Sequence, residues 1–160
     1  MRDARSVKRT TGVAEDAALP ASEPGPGLRL QVSDIHALES TRLAVLDFLA
    51  PFAPDARTVY AVELVLEEVL SNQFKYAFAG VVPQAVALGV RVEGGEIELR
   101  FEDSGVAFDP LHAPELPVPT SIDEAPIGGL GLMLVRRFAK SAAYARHDGR
   151  NYLTARIGSG

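Results

Sequence analysis

Residues 102 to 110 read EDSGVAFDP and follow a segment whose apolar residues alternate with polar ones, the period-2 pattern of a half-buried strand. An aspartate with a glycine just beyond a strand is often only a turn. It can also recognise a ligand, because the Asp103 carboxylate can accept a hydrogen bond from an exocyclic amine. Gly105, which lacks a side chain, would let a planar base approach the backbone. This second interpretation fits adenine.

A predicted helix upstream carries polar residues beside its apolar stripe. The helix begins after Asp55 and runs to about Phe78, and Glu68, Asn72 and Tyr76 follow one another at intervals of four residues. At helical spacing these three side chains lie on one face. A solvated helix face is the ordinary explanation of such a line. The line alone therefore does not define a site.

Downstream, residues 126 to 135 read PIGGLGLMLV, and the glycines open a predicted helix that extends to Lys140. Glycines let the backbone approach a ligand, and the amides and dipole at a helix N-terminus favour phosphate. A tight loop before a helix explains an isolated glycine run equally well. The run lacks the Gly-Lys-Ser/Thr ending of a Walker A loop. It is not a Rossmann fingerprint either, because no strand leads directly into it.

The remaining pattern surrounds these motifs with strands and one more helix. Residues 28 to 32 alternate as a strand, and Ser33 or Asp34 can cap a helix that ends near Pro51. Gly94-Gly95 and Asp148-Gly149 each separate two alternating segments and indicate hairpins. The order predicts an α+β fold, a two-layer α/β sandwich. Its sheet is mixed and mostly antiparallel, with helices on one face.

Composition narrows the class of protein. The chain has 160 residues and a formal net charge of -5, with basic residues scattered between acids, so we expect no nucleic-acid binding. It has no cysteine, which excludes disulfides and thiolate metal sites. Residues 1–27 are polar and end in prolines and glycines, which predicts a flexible tail before a domain at 28–160. No apolar run approaches the length of a membrane span, and we expect a cytoplasmic protein.

Taken in order, the three motifs resemble the GHKL, or Bergerat-fold, ATPases, and within them the anti-sigma-factor serine kinases of bacterial partner-switching systems. The resemblance covers residues 28 to 157. Glu68-x-x-x-Asn72 is similar to the N-box, and Asp103-x-Gly105 with Phe108-Asp109-Pro110 to the first glycine box. Residues 128 to 132 are similar to the second glycine box. The chain departs from the family at Tyr76, where histidine is common, and at Asn151, where a threonine often reaches the adenine site.

The resemblance implies a role for each matched residue. Asn72 would hold Mg²⁺ through its amide oxygen, Glu68 would be the general base, and Asp103 would bind the adenine amine of ATP beside Gly105. Residues 109 to 127 would form a lid that closes over ATP. The other implied nucleotide-binding residues are Phe108, Gly128, Gly129, Leu130, Gly131 and Leu132.

The implied activity is that of a protein-serine kinase and anti-sigma factor. Such a protein phosphorylates a serine on a small anti-sigma-factor antagonist and binds a sigma factor. The branch often forms dimers through the region before the N-box, which corresponds to residues 28 to 54. Two alternatives stay open at this point. One is a non-catalytic, nucleotide-regulated binding module, and the other is a histidine-kinase catalytic domain that acts on a separate chain.

Overall fold

A computed structural model describes residues 27 to 78, 82 to 109, 111 and 135 to 158. Residues 135 to 138 are helical as well as the two longer helices named next. The elements in chain order are β1 (Gly27–Val32), α1 (Leu38–Leu49), α2 (Ala56–Asn72), β2 (Val86–Glu93), β3 (Glu96–Asp103), β4 (Ser141–His147) and β5 (Arg150–Gly158).

The strands form one five-stranded sheet in the order β1-β2-β3-β5-β4. Every neighbouring pair among them is antiparallel. Both predicted hairpins are present. Gly94 and Gly95 have φ of 58° and 79°, and Asp148 and Gly149 have φ of 48° and 73°. Positive φ at both central residues is the type I′ geometry that matches the twist of a two-residue hairpin.

The core lies between the helices and one face of the sheet. Inward-facing residues alternate along the central strands with half-exposed ones, as the period-2 pattern predicts. This arrangement confirms the predicted two-layer sandwich with helices on one face. Fully buried side chains from both layers include Val45, Val62, Leu66, Leu70, Leu88, Leu99, Phe101 and Ile157.

The inward-facing rows of β3 and β5 end in polar residues. Asp103 continues the buried row of β3 and Asn151 that of β5, and the two are register partners. Their exposed fractions are only 2% and 4%. At this end of the sandwich the apolar layer gives way to buried polar groups. Such groups need hydrogen-bond partners within the protein or from a ligand.

Helix α2 brings further polar residues to the same end. The helix begins after Asp55, as predicted, and Asp55 caps its N-terminus by accepting a hydrogen bond from the Thr58 amide at 2.7 Å. Beyond Asn72 the chain continues as a π-helical turn, Gln73–Ala77. The α-helical spacing that the prediction assumed up to Tyr76 therefore ends at Asn72, and the last step to Tyr76 is made by the wider π turn.

Two other boundaries differ slightly from the prediction. Strand β1 begins at Gly27, inside the segment assigned to the tail. The helix predicted to reach Lys140 ends at residue 138, and the Lys140 amide donates to the Arg156 carbonyl at 2.7 Å, which joins it to β5. In the described ranges no helix is both long and apolar enough to cross a membrane. The rest of the predicted tail, most of the predicted lid and residues 128 to 132 lie outside the described residues.

Candidate functional site

A pocket of about 370 Å³, including its open mouth, lies where the end of α2 meets β3, β4 and β5. It brings together Asn72, Asp103 and Phe108, three residues that the sequence singled out. Residues distant in the chain thus meet at the polar end of the sandwich. Its lining comprises Val69, Asn72, Gln73, Ala77, Asp103, Phe108, Tyr144, Asn151 and Leu153.

Asp103 lies at the end of β3 with its carboxylate held by three donors. Its Oδ1 accepts from the Gly105 amide at 2.9 Å and from Asn151 Nδ2 at 2.8 Å. Its Oδ2 accepts from Gln73 Nε2 at 2.8 Å. An ionised carboxylate can accept about four hydrogen bonds, so Asp103 is oriented and still has room for another donor.

Asn151, for which the sequence predicted no role, orients Asp103 from the neighbouring strand. Besides Asp103, its Nδ2 donates to the Val106 carbonyl at 2.9 Å. Its Oδ1 accepts from Tyr144 Oη and from Arg146 Nη1, both at 2.7 Å. Burial raises the pKa of the Tyr144 phenol, which keeps this group protonated and able to donate. The Asn151 amide is therefore fully bonded by protein groups.

Gln73 is a pocket residue that the motif reasoning did not identify. It follows Val69 by four residues and so occupies a position of the apolar stripe of α2, yet it is polar and only 9% exposed. A polar residue on an apolar stripe is the signal that could have found it. Its amide nitrogen bonds Asp103, whereas its Oε1 is buried without a hydrogen-bond partner.

Asn72 presents a second incompletely bonded amide to the pocket. It is 7% exposed, and its Nδ2 is buried without a hydrogen-bond partner. The nitrogen and oxygen of an asparagine amide exchange places when the group rotates by half a turn. Either atom can therefore be turned toward a bound group. Unpaired buried polar atoms are rare in native proteins, and two of them in one pocket indicate a place for a polar ligand.

Gly105 lies behind Asp103, against the π-helical turn. A Cβ at this position would come within 2.1 Å of the Ala77 carbonyl oxygen. The next amide, that of Val106, donates to the same Ala77 carbonyl at 2.7 Å. Gly105 thus lets the loop after β3 pack on the end of the helix. This packing requires glycine whether or not a ligand is bound.

Glu68 lies one helical turn before Asn72 and is half-buried, while its neighbour Glu67 is exposed. Burial raises the pKa of Glu68 above its ordinary value, and the nearby Glu67 carboxylate raises it further. Glu68 is not among the described residues that line the pocket. Its spacing from Asn72 nevertheless keeps both on neighbouring turns of one helix face.

Phe108 forms part of the pocket wall and packs on Tyr76, with the ring centroids 6.2 Å apart. Shortly after Phe108, Asp109 Oδ1 accepts from the Leu111 amide at 2.8 Å. The Leu111 carbonyl accepts in turn from Arg136. The start of the predicted lid is therefore attached to the segment that follows the glycine run. Gly128, Gly129, Leu130, Gly131 and Leu132 themselves lie outside the described residues.

The two-layer architecture is found in solved structures of other proteins. The fold is similar to that of the RsbU and RsbW domains of Rv1364c from Mycobacterium tuberculosis, with a TM-score of 0.60 at 16% identity over 84% of this chain and 33% of that one. It is also similar to the SiaB-SiaC complex from Pseudomonas aeruginosa, with a TM-score of 0.59 at 17% identity over 81% of this chain and 87% of that one. At these identities the likeness concerns the fold alone.

Sequence comparison identifies the family. Residues 32–157 match the model of the histidine kinase-like ATPase domain, and the chain belongs to this family. It is 38% identical over 99 residues to the serine/threonine-protein kinase BtrW of Bordetella bronchiseptica, which covers 62% of this chain and 70% of that protein. It is 24% identical over 112 residues to an anti-sigma F factor of Bacillus thuringiensis, which covers 69% of this chain and 77% of that one. The resemblance inferred from the three motifs is confirmed.

Proposed function

We propose that the pocket binds ATP, with the adenine amine on Asp103. The observation that carries this proposal is a buried carboxylate at the end of β3 that three donors hold in place. Its remaining acceptor capacity suits an N–H donor such as the adenine amine. Phe108 supplies an apolar wall beside it. Membership of an ATPase domain family supports the same ligand.

The residues of the pocket also fit a nucleotide-bound Mg²⁺. Asn72 has a buried amide with an unpaired atom in the pocket, and rotation of the amide can present its oxygen. Mg²⁺ takes few protein ligands and keeps waters and phosphate oxygens, so one amide is enough. When bound, the ion would neutralise charge on the phosphates. In the described ranges no three histidine or carboxylate side chains gather into a site of their own.

Glu68 is the residue that we propose as general base for phosphoryl transfer. A carboxylate with a raised pKa is a stronger proton acceptor than an ordinary glutamate when it is ionised. Glu68 would take the proton from an attacking serine hydroxyl as that oxygen bonds to the γ-phosphorus of ATP. The bond from this phosphorus to the β-phosphate oxygen would break in the same transfer, with ADP as the leaving group. The glycines at 128, 129 and 131, with Leu130 and Leu132, would hold the phosphates through backbone amides.

The acceptor in this proposal is a serine on an anti-sigma-factor antagonist, and the second partner is a sigma factor. The support is the similarity to a protein named as a serine/threonine kinase and to proteins named as anti-sigma F factors. The net charge of -5, with basic residues scattered between acids, also favours protein partners over nucleic acid. ATP binding would control which partner is held.

The test of catalysis uses labelled ATP, Mg²⁺ and candidate antagonist proteins encoded beside the gene. We expect acid-stable label on a partner serine, and a loss of about 100-fold or more in rate for Glu68→Ala. Glu67→Ala is the matched control and should keep most of the activity. Undiminished transfer by Glu68→Ala would overturn the role of Glu68. Acid-labile label would instead indicate a histidine kinase, and ATP binding without any transfer a non-catalytic module.

A further inference from the structure

Gln73 has a bonding pattern that the adenine contact of Asp103 does not explain. Its Nε2 donates to Asp103 Oδ2 at 2.8 Å. Because an ionised carboxylate only accepts hydrogen bonds, this contact fixes which end of the amide is nitrogen. The other end, Oε1, is a buried acceptor with no hydrogen-bond partner. An unpaired buried acceptor is unfavourable unless a donor reaches it.

The other amides of the pocket differ from Gln73 in this respect. Asn151 uses all of its bonding capacity on Asp103, Val106, Tyr144 and Arg146. It therefore has nothing left for a ligand. The unpaired atom of Asn72 is its amide nitrogen, but no carboxylate bonds this amide and fixes which end is nitrogen, as Asp103 does for Gln73. Gln73 is thus the amide residue of the described pocket lining whose unpaired atom is known to be an oxygen, because the contact with Asp103 fixes the other end of the amide as nitrogen.

The acceptor pair at this point suits a particular kind of group. Asp103 has remaining capacity, and Oε1 of Gln73 belongs to the same amide that bonds Asp103 Oδ2. Two adjacent acceptors match one nitrogen that carries two hydrogens, which is a primary amine. A 6-oxopurine such as hypoxanthine or guanine would place a carbonyl oxygen, a third acceptor, against Asp103 and Gln73. Both side chains would then lack a donor, so such a base would bind more weakly than adenine.

We propose that Gln73 determines base specificity by accepting one hydrogen of the adenine 6-amino group while Asp103 accepts the other. This inference rests on the proposed binding of ATP by the same pocket. It makes Gln73 a contact residue and not only a support for Asp103. Gln73 is singled out because it is polar and buried at the position that continues the apolar stripe of α2 into the π-helical turn.

The test compares ATP with N6-methyl-ATP, in which one of the two amine hydrogens is replaced, by calorimetric titration in the presence of Mg²⁺. We expect the wild-type protein to prefer ATP by about three- to tenfold, the value of one hydrogen bond. In Gln73→Leu and Gln73→Met the preference should fall below about twofold. A residue that only supported Asp103 would change both affinities together and leave their ratio unchanged.

Gln31→Leu, the same change at an exposed position of the edge strand β1, is the matched control and should keep the wild-type ratio. Equal binding of the two nucleotides by the wild type, or an unchanged ratio in both Gln73 variants, would overturn the role of Gln73 and leave ATP binding intact. Failure of the wild type to bind ATP at all would overturn the proposed function together with this inference. The wild-type comparison does not depend on the folding of any variant.

Discussion

Two adjacent carboxylates on α2, Glu67 and Glu68, lie in different surroundings. Burial and the charge of Glu67 raise the pKa of Glu68. If Glu68 is the general base, activity should increase as the pH rises through this pKa, because only the ionised form accepts a proton. Glu67→Gln removes the like charge and should shift the acid limb of the rate profile to lower pH. An unshifted limb, measured as transfer rate against pH, would contradict this assignment.

Gly105 is required by its contact with the end of the π-helical turn. Gly105→Ala would place a Cβ 2.1 Å from the Ala77 carbonyl oxygen, which forces the backbone apart. We expect unfolding free energy to fall by about 1–3 kcal/mol, as in other overpacked sites, in urea titrations. Gly89→Ala is the control, since its nearest contact there would be 3.9 Å away. Equal stability of the Gly105 variant and wild type would refute the packing role.

Individual site residues were predictable to different degrees. Asp103, Phe108 and Asn72 follow from local motifs, and the structure brings them to one pocket. Gln73 and Asn151 do not belong to a local motif. Their importance depends on the antiparallel register that sets Asn151 opposite Asp103 and on the end of α2 reaching the same place. The pairing of β3 with β5, which sets Asn151 opposite Asp103, cannot be predicted from a single sequence.

Strands and hairpins were predicted closely because alternation and paired turn residues are local signals. The type I′ turns at Gly94-Gly95 and Asp148-Gly149 set the β2–β3 and β4–β5 pairings. The pairing of β3 with β5 joins segments far apart in the chain and has no local signal. The π-helical turn after Asn72 was also not predictable, since helical periodicity alone assumes 3.6 residues per turn.

Helix α2 carries Glu68 and Asn72 and leads directly into Gln73, and the start of this helix depends on Asp55. The hydrogen bond from the Thr58 amide lowers the pKa of Asp55 below its ordinary value of 3.8. The cap therefore stabilises the protein fully above pH 3.8, and this stabilisation is lost as the pH falls through the lowered pKa. Asp55→Ala should lower the urea midpoint at pH 7, and the difference from wild type should shrink as the pH falls below 3.8 through the lowered pKa. Asp47→Ala, an exposed change on α1, is the control. A pH-independent difference would argue against the cap.

At the scale of the whole molecule, we propose that residues 28 to 54 form a homodimer interface. Among the described strands β1 pairs only with β2 and so leaves an edge, and Leu43 on α1 is 54% exposed. Leu43→Glu should convert the dimer to monomer in sedimentation velocity, because it places a charge in an apolar contact. Val82→Glu, at an 81% exposed residue outside this segment, should leave the dimer intact. A wild-type monomer, or a dimer insensitive to Leu43→Glu, would exclude this interface.

The central claim is that the polar end of the sandwich binds ATP through Asp103. The most direct test is calorimetric titration of Mg²⁺-ATP into the wild type, Asp103→Asn and the exposed control Asp47→Asn, with urea midpoints measured alongside. Hydrogen bonds to charged groups contribute about 1.5–3 kcal/mol, so Asp103→Asn should bind ATP about 10- to 100-fold more weakly, while the control matches the wild type. Equal affinity in a folded Asp103→Asn protein, or no binding by the wild type, would contradict the account.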